Sequence, residues 1–376
     1  MYNMVVNKLI SAYESFSFQL LLLLLKQDPN TNVFISPFSV AIAFAMVYNG
    51  ARGTTEQTIA KVLGFKGLNI QEINAANKFL MSIGNNTDTH NQLGFANSLW
   101  VRPDISLNNN FVQQLQEAYN SKVANLDFPH PGAAITINQW VEEKTQDKIK
   151  QLVTPDDIVN AILVLINTIY FKGTWTYLFD KQKTKEQSFS LPDGSQKSHP
   201  MMSQSGQYLY YETEKFQAVS LPYGDRRLSM YIFLPKLSFS IKEFQQLLTV
   251  ENWRSWIFQF NEMEGDIVLP RFKIEYGKIL NDALINLGMG EAFSVDVNFE
   301  GIGAGNLTIS KVIHKAIIEV NEEGTEAAAA TAITMVRSMG FTSKFRMIID
   351  RPFFHAIRDN QTGALLFMGF VFNPVE

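Results

Sequence analysis

Near neutral pH, histidine is the side chain best suited to acid–base work, nucleophile activation and metal binding. The chain has five of them: His90, His130, His199, His314 and His355. They lie far apart, with none of the short spacings that ligand pairs take, so no metal site is expected. The hydrolase turn G-x-S-x-G has no match. H-E-x-x-H and the phosphate-binding loop are absent too. "GIGAG", Gly301 to Gly305, loosely resembles a dinucleotide loop but lacks the strand–turn–helix around it, and it reads as a plain turn. With no cysteine, disulfides and thiolate chemistry are excluded and the redox compartment stays unread. No catalytic residue and no cofactor is assigned, and the chain does not read as an enzyme.

The segment that stands out is "EVNEEGTEAAAATAITMVRSMGF", Glu319 to Phe341. Its middle should be helical by propensity, with Thr325 as a cap and Ala327, Ala328, Ala329 and Ala330 in a row. Yet it has no apolar stripe and lies between two β-like runs, "VIHKAIIEV" and "KFRMIID". Arg337, followed by Ser338, is its one basic residue between Lys315 and Lys344. Ala-rich, with nothing to pack against and tethered between strands, the segment leaves its purpose open.

The rest of the chain bounds the answer. Its 376 residues, 46% hydrophobic and 12% aromatic, suffice for a large core. A net charge of −4 argues against a nucleic-acid partner, which needs a clustered basic face. "LLLLLL", Leu20 to Leu25, is flanked by Gln19 and Lys26 and is well short of the ~18–20 apolar residues of a membrane span. It reads as a buried helix, with no clear signal peptide and no membrane partner, and the compartment stays unknown. Three glycosylation sequons, at Asn85, Asn306 and Asn360, carry little weight in an Asn-rich chain.

No repeat or linker divides the sequence, so one interwoven domain over residues 1–376 is expected. "NVFISPFSVAIAFAMVYNGARGTT" reads as a short strand, then Ser36 as cap and Pro37 at the first helical position, with Asn49-Gly50 as the stop. "INQWVEEKTQDKIKQLV", Ile137 to Val153, reads as a second helix. "AILVLINTIYFKGTW" opens as a strand buried on both faces. "LSMYIFLP", "DIVLPRFKIEY" and "FRMIID" are further strands, and "FFHAIRDNQTGALLFMGFVF" is a hairpin turning at Asp359 to Gly363. Helices and strands mix without a βαβ rhythm, which makes the fold class α+β with large sheets.

Seven blocks then match one family, in its order: "NVFISPFSVAIAFAMVYNGARGTT", "LINTIYFKGTW", "HPMM", "VSLPYGD", "LPRFKIEYGKILNDALINLGMGEAF", "VIHKAIIEVNEEGTEAAAATA" and "RPFFHAIRDNQTGALLFMGFVFNP". Along nearly its whole length the chain resembles the serpins, the serpin-type serine protease inhibitors. That resemblance implies three β-sheets, about nine helices and an exposed reactive-centre loop at about 322–344. In inhibitory members a serine protease cleaves this loop and is held as an acyl-enzyme, while the loop inserts as a new strand in the large sheet. The segment suits that use. Alternation from Thr325 puts Thr325, Ala327, Ala329, Thr331 and Ile333 inward and the charge of Glu326 outward, behind a permissive Gly324.

The resemblance also implies roles residue by residue. Ser36, Ser39, Asn167 and His314 match the polar cluster under the central strands, the shutter that must part to admit the loop. Trp175 matches the aromatic at the breach, the top of the sheet where insertion begins. Glu322 and Arg271 match a pair that latches the loop's base. His355 departs from the family, which has an apolar residue there. The hinge is then Glu322, Gly324, Thr325, Glu326 and Ala327 to Ala330.

For the reactive bond two registers remain. Family spacing, with Gly324 as the fifteenth residue before the cut, gives Ser338-Met339. Chemistry favours Arg337-Ser338, because a trypsin-like pocket holds a buried carboxylate that disfavours any side chain unable to neutralise it. Arg337 as a mere solvated loop charge is the alternative. The expected partner is a trypsin-like serine protease bound covalently to a monomer. No heparin activation is expected, since Asn69 to Ile83 has Lys78 as its one basic residue. The rival reading is a non-inhibitory serpin acting as carrier, chaperone or storage protein.

Overall fold

The computed structural model describes residues 2–83, 91–325 and 345–376. Glu326, the four alanines, Arg337 and Ser338 lie outside these residues, as do Asn85 and His90. Among the described residues there are ten α-helical segments and three sheets, of nine, six and two strands.

The leucine run sits in helix α1 (Tyr2–Gln27), where Leu20, Leu21, Leu24 and Leu25 are buried. Each such leucine contributes ~1.5–3 kcal/mol relative to exposure. By length and composition Met4–Gln27 is long enough to cross a membrane, yet 61% of its apolar window is buried within the fold. Helix α2 (Pro37–Gly50) starts where its residues predict: the Ser36 side chain accepts from Ser39 N–H, and Pro37 follows. All of its residues are buried, so it shows no polar stripe and forms the floor under both large sheets.

Two expectations need correction. The helix predicted over Ile137–Val153 spans Ala133–Lys144 instead. Gln146 and Asp147 adopt φ of 51° and 64°, turning the chain back. There Asn138 captures the backbone of Leu152 and Val153, with bonds of 2.8–3.0 Å. Local propensity lost to one side-chain clamp. Likewise "DIVLPRFKIEY" is two strands, Asn261–Pro270 in the nine-stranded sheet and Phe272–Ile279 in the six-stranded one. Pro270 has no N–H to continue the ladder, and Arg271 makes the corner between sheets.

Six strands build the sheet that holds the site: β1 (Asn91–Val101), β2 (Lys122–Asn125), β3 (Leu163–Thr174), β4 (Phe272–Ile279), β5 (Ile309–Asn321) and β6 (Gly324–Thr325). Their order is β4-β5-β6-β3-β1-β2, with β5 also pairing β3 directly below β6. That lower seam is parallel, from Ile309↔Leu163 to Ile317↔Tyr170, whereas β5–β4 and β3–β1 are antiparallel. β3 is buried almost throughout, as its β-branched run requires. A further strand, β7 (Phe345–Ile348), lies beyond the loop and pairs in parallel with Asn261–Pro270.

Candidate functional site

The loop leaves β5 through a tight hairpin. Asn321 pairs with Gly324 and Val320 with Thr325, leaving Glu322-Glu323 as the turn. On its other side β6 pairs antiparallel with β3, Gly324 with Thr174 and Thr325 with Gly173. The first residues of the loop are therefore already a strand between β5 and β3. Gly324 has φ 145°, and a Cβ there would lie 2.0 Å from the Gly173 carbonyl oxygen. Sequence reading gave this glycine for flexibility; the structure uses it for close approach.

Each end of the turn is held. Arg271 Nε lies 2.9 and 3.0 Å from the two Glu322 carboxylate oxygens, and Nη2 lies 2.7 Å from Oε1. Thr184 Oγ1 donates to the same carboxylate at 2.5 Å. Burial alone would raise the Glu322 pKa, but these hydrogen bonds outweigh it and hold the carboxyl below its usual range. Lys181 Nζ pairs with Glu323 at 2.6 Å. Trp175 N–H donates to Glu323 O, and its indole N–H to Asn321 O, both at 2.9 Å. The indole stacks on Tyr223, ring centroids 4.4 Å apart, and Tyr223 OH meets Thr325 Oγ1 at 2.7 Å. Thr325 thus points inward and is fully buried.

Lower on the seam, Ser36, Ser39, Asn167 and His314 form one buried network. His314 Nε2 accepts from Ser36 N–H (3.3 Å), so the ring proton sits on Nδ1 and donates to Asn167 Oδ1 (2.6 Å). Asn167 Nδ2 donates to Ser39 Oγ (2.5 Å) and to Asn97 Oδ1 (2.6 Å). Ser36 Oγ donates to Leu366 O at 2.6 Å, tying the network to the second large sheet. Burial lowers the His314 pKa to about 4, which keeps the ring neutral.

Structure thus groups the expected residues into two clusters, with Trp175, Arg271, Glu322, Gly324 and Thr325 around the Glu322-Glu323 turn and the four polar residues at the seam. It adds Tyr223, Thr184, Lys181 and Asn97, which sequence reading missed. Tyr223 lay within the quoted "VSLPYGD" block, but nothing local marks it as a partner of Thr325. His355 occupies a core strand, stacked on Phe34 at 5.6 Å, with neither ring nitrogen hydrogen-bonded. Among the described residues no cluster of three or more His, Cys, Asp or Glu offers a metal site.

Comparison with known proteins bears on what this arrangement is for. A family model described as serpin (serine protease inhibitor) matches residues 11–374. Human leukocyte elastase inhibitor is 36% identical, over 98% of this chain and 100% of that protein. The crystal structure of human thyroxine-binding globulin complexed with its hormone superposes with a TM-score of 0.91 at 27% identity, covering 99% of this chain and 100% of that one. Native protease nexin-1 with heparin superposes at 0.88 and 28% identity, covering 98% and 100%.

Proposed function

This chain belongs to the serpin family of serine protease inhibitors, and from that premise we propose that it is an inhibitory serpin that traps trypsin-like proteases. The protease cuts Arg337-Ser338 and is held as an acyl-enzyme while the freed strand inserts between β3 and β5. The protein is consumed in the act and is not an enzyme. One observation supports this reading above the others: β6 already lies between the strands that the loop must part.

The register supports it further. Six residues on from Thr325 is Thr331; six back from its partners Val320 and Gly173 are His314 and Asn167. Those two are already opposite one another in the β5–β3 seam. Insertion therefore needs β3 and β5 to separate sideways, with no slippage along either strand.

A carrier function is the second reading, favoured by the close superposition on thyroxine-binding globulin. Mixing the protein with trypsin separates the two. The inhibitor gives an SDS-resistant covalent band and a released peptide beginning at Ser338, and Arg337→Ala abolishes the band. A peptide beginning at Met339 would move the bond to Ser338-Met339, and clean hydrolysis without a band would favour the carrier. We further infer a monomer whose inhibition is not accelerated by heparin, since helix Ile70–Met81 carries only Lys78 as a base.

A further inference from the structure

The guanidinium that holds the hinge turn has a second partner. Arg271 offers Nε and Nη2 to Glu322, and its far corner, Nη1, lies 3.1 Å from Glu376 Oε1. The segment bearing Glu376 is itself fixed. Val375 O accepts from Lys273 N–H at 2.6 Å, and the Lys197 ammonium donates to Pro374 O. Asn32 brackets the preceding residues, accepting from Phe372 N–H (2.7 Å) and Asn373 N–H (3.0 Å) and donating to Asn373 O (2.7 Å).

A guanidinium bonded at one edge can still pivot about its long side chain. Bonded at both ends, it keeps its plane and its bidentate grip. Arg271's backbone is also held, its N–H by Pro200 O and its O by His199 Nε2. Only the side chain is left to move, and Glu376 stops it.

We propose that Glu376 is a positioning residue for the hinge: through Arg271 it keeps the Glu322-Glu323 turn closed and β6 paired between β5 and β3. The idea takes from the proposed function that β6 is the start of the inserting strand. Its test needs no protease, so the two stand or fall separately.

Hydrogen–deuterium exchange on the intact protein is the measurement. Glu376 is half exposed, so Glu376→Gln leaves no buried group unpaired. Losing a partly exposed ion pair should speed exchange in the Asn321–Thr325 peptide about two- to five-fold. Peptides from the lower β3–β5 seam should not change, and Glu376→Asp, which keeps the charge, should restore part of the protection. Unchanged exchange at the hinge in Glu376→Gln would overturn the proposal. So would a rise spread evenly over the sheet, or Glu376→Asp behaving like Glu376→Gln.

Discussion

His314 and Asn167 hold β5 and β3 together by a 2.6 Å hydrogen bond at the same rung that the register assigns to Thr331 of an inserted loop. On the proposed mechanism the bond breaks as the strand inserts, and the Thr331 hydroxyl would arrive where it was. Replacing Thr331 with Val should leave the intact protein unchanged. It should lower the stability of the cleaved form by about 1–3 kcal/mol, the cost of leaving a buried polar group unpaired. Thermal melts of both forms check this; equal losses in the two would show that Thr331 does not reach the rung.

Since Thr325 is already paired in β6, insertion as far as Arg337 adds 337 − 326 + 1 = 12 residues of strand, about 40 Å at ~3.3 Å each. The cleaved protein should therefore melt far above the intact one. Equal melting temperatures would argue for the carrier. Ala327→Arg should convert inhibitor to substrate, because an unpaired charge would have to enter the sheet.

Gly324→Ala should disable the hinge. Its Cβ would strike the Gly173 carbonyl, and positive φ costs a non-glycine residue about 1–3 kcal/mol besides. Stoichiometry of inhibition should rise, with the protease escaping after cleavage. Undiminished trapping would contradict the close approach on which this rests.

Burial holds two histidines neutral, His314 with a pKa lowered to about 4 and His355 to about 3. Unfolded, each binds its proton near pH 6.5, so below that the unfolded chain takes up more protons. Stability should be fully present above about pH 6.5. It should fall as the pH drops toward 4 for His314 and toward 3 for His355, and level off below. His355→Phe should flatten the slope between about pH 6 and pH 4. It should also raise stability at neutral pH by about 1–3 kcal/mol, since both ring nitrogens lack partners. Chemical denaturation across that range is the check.

Much of this was legible where the signal is local. Ser36 followed by Pro37 marks a helix start whatever lies above it, and the β-branched run at Leu163–Thr174 admits little but a buried strand. The helix at Ile137–Val153 was misread because Asn138, a residue inside it, bonds to its own far end. Strand Phe272–Ile279 was fused to its predecessor because the sequence does not show that Arg271 turns between sheets. Glu376, Tyr223 and Asn97 gave no sign, since each matters through partners at least 70 residues away: Arg271, Thr325 and Asn167.

The seam between β5 and β3 is the parallel pairing at the centre of a sheet whose adjacent pairings are antiparallel. A loop zipping down from β6 would exchange each slanted parallel rung for two straight antiparallel ones, one on either flank. Parallel ladders are slightly the weaker per residue. Each step would therefore gain backbone pairing that reversal would give up. On the proposed mechanism, the chain direction of one strand relative to its neighbour would thus add a small bias toward insertion, like the pawl of a ratchet.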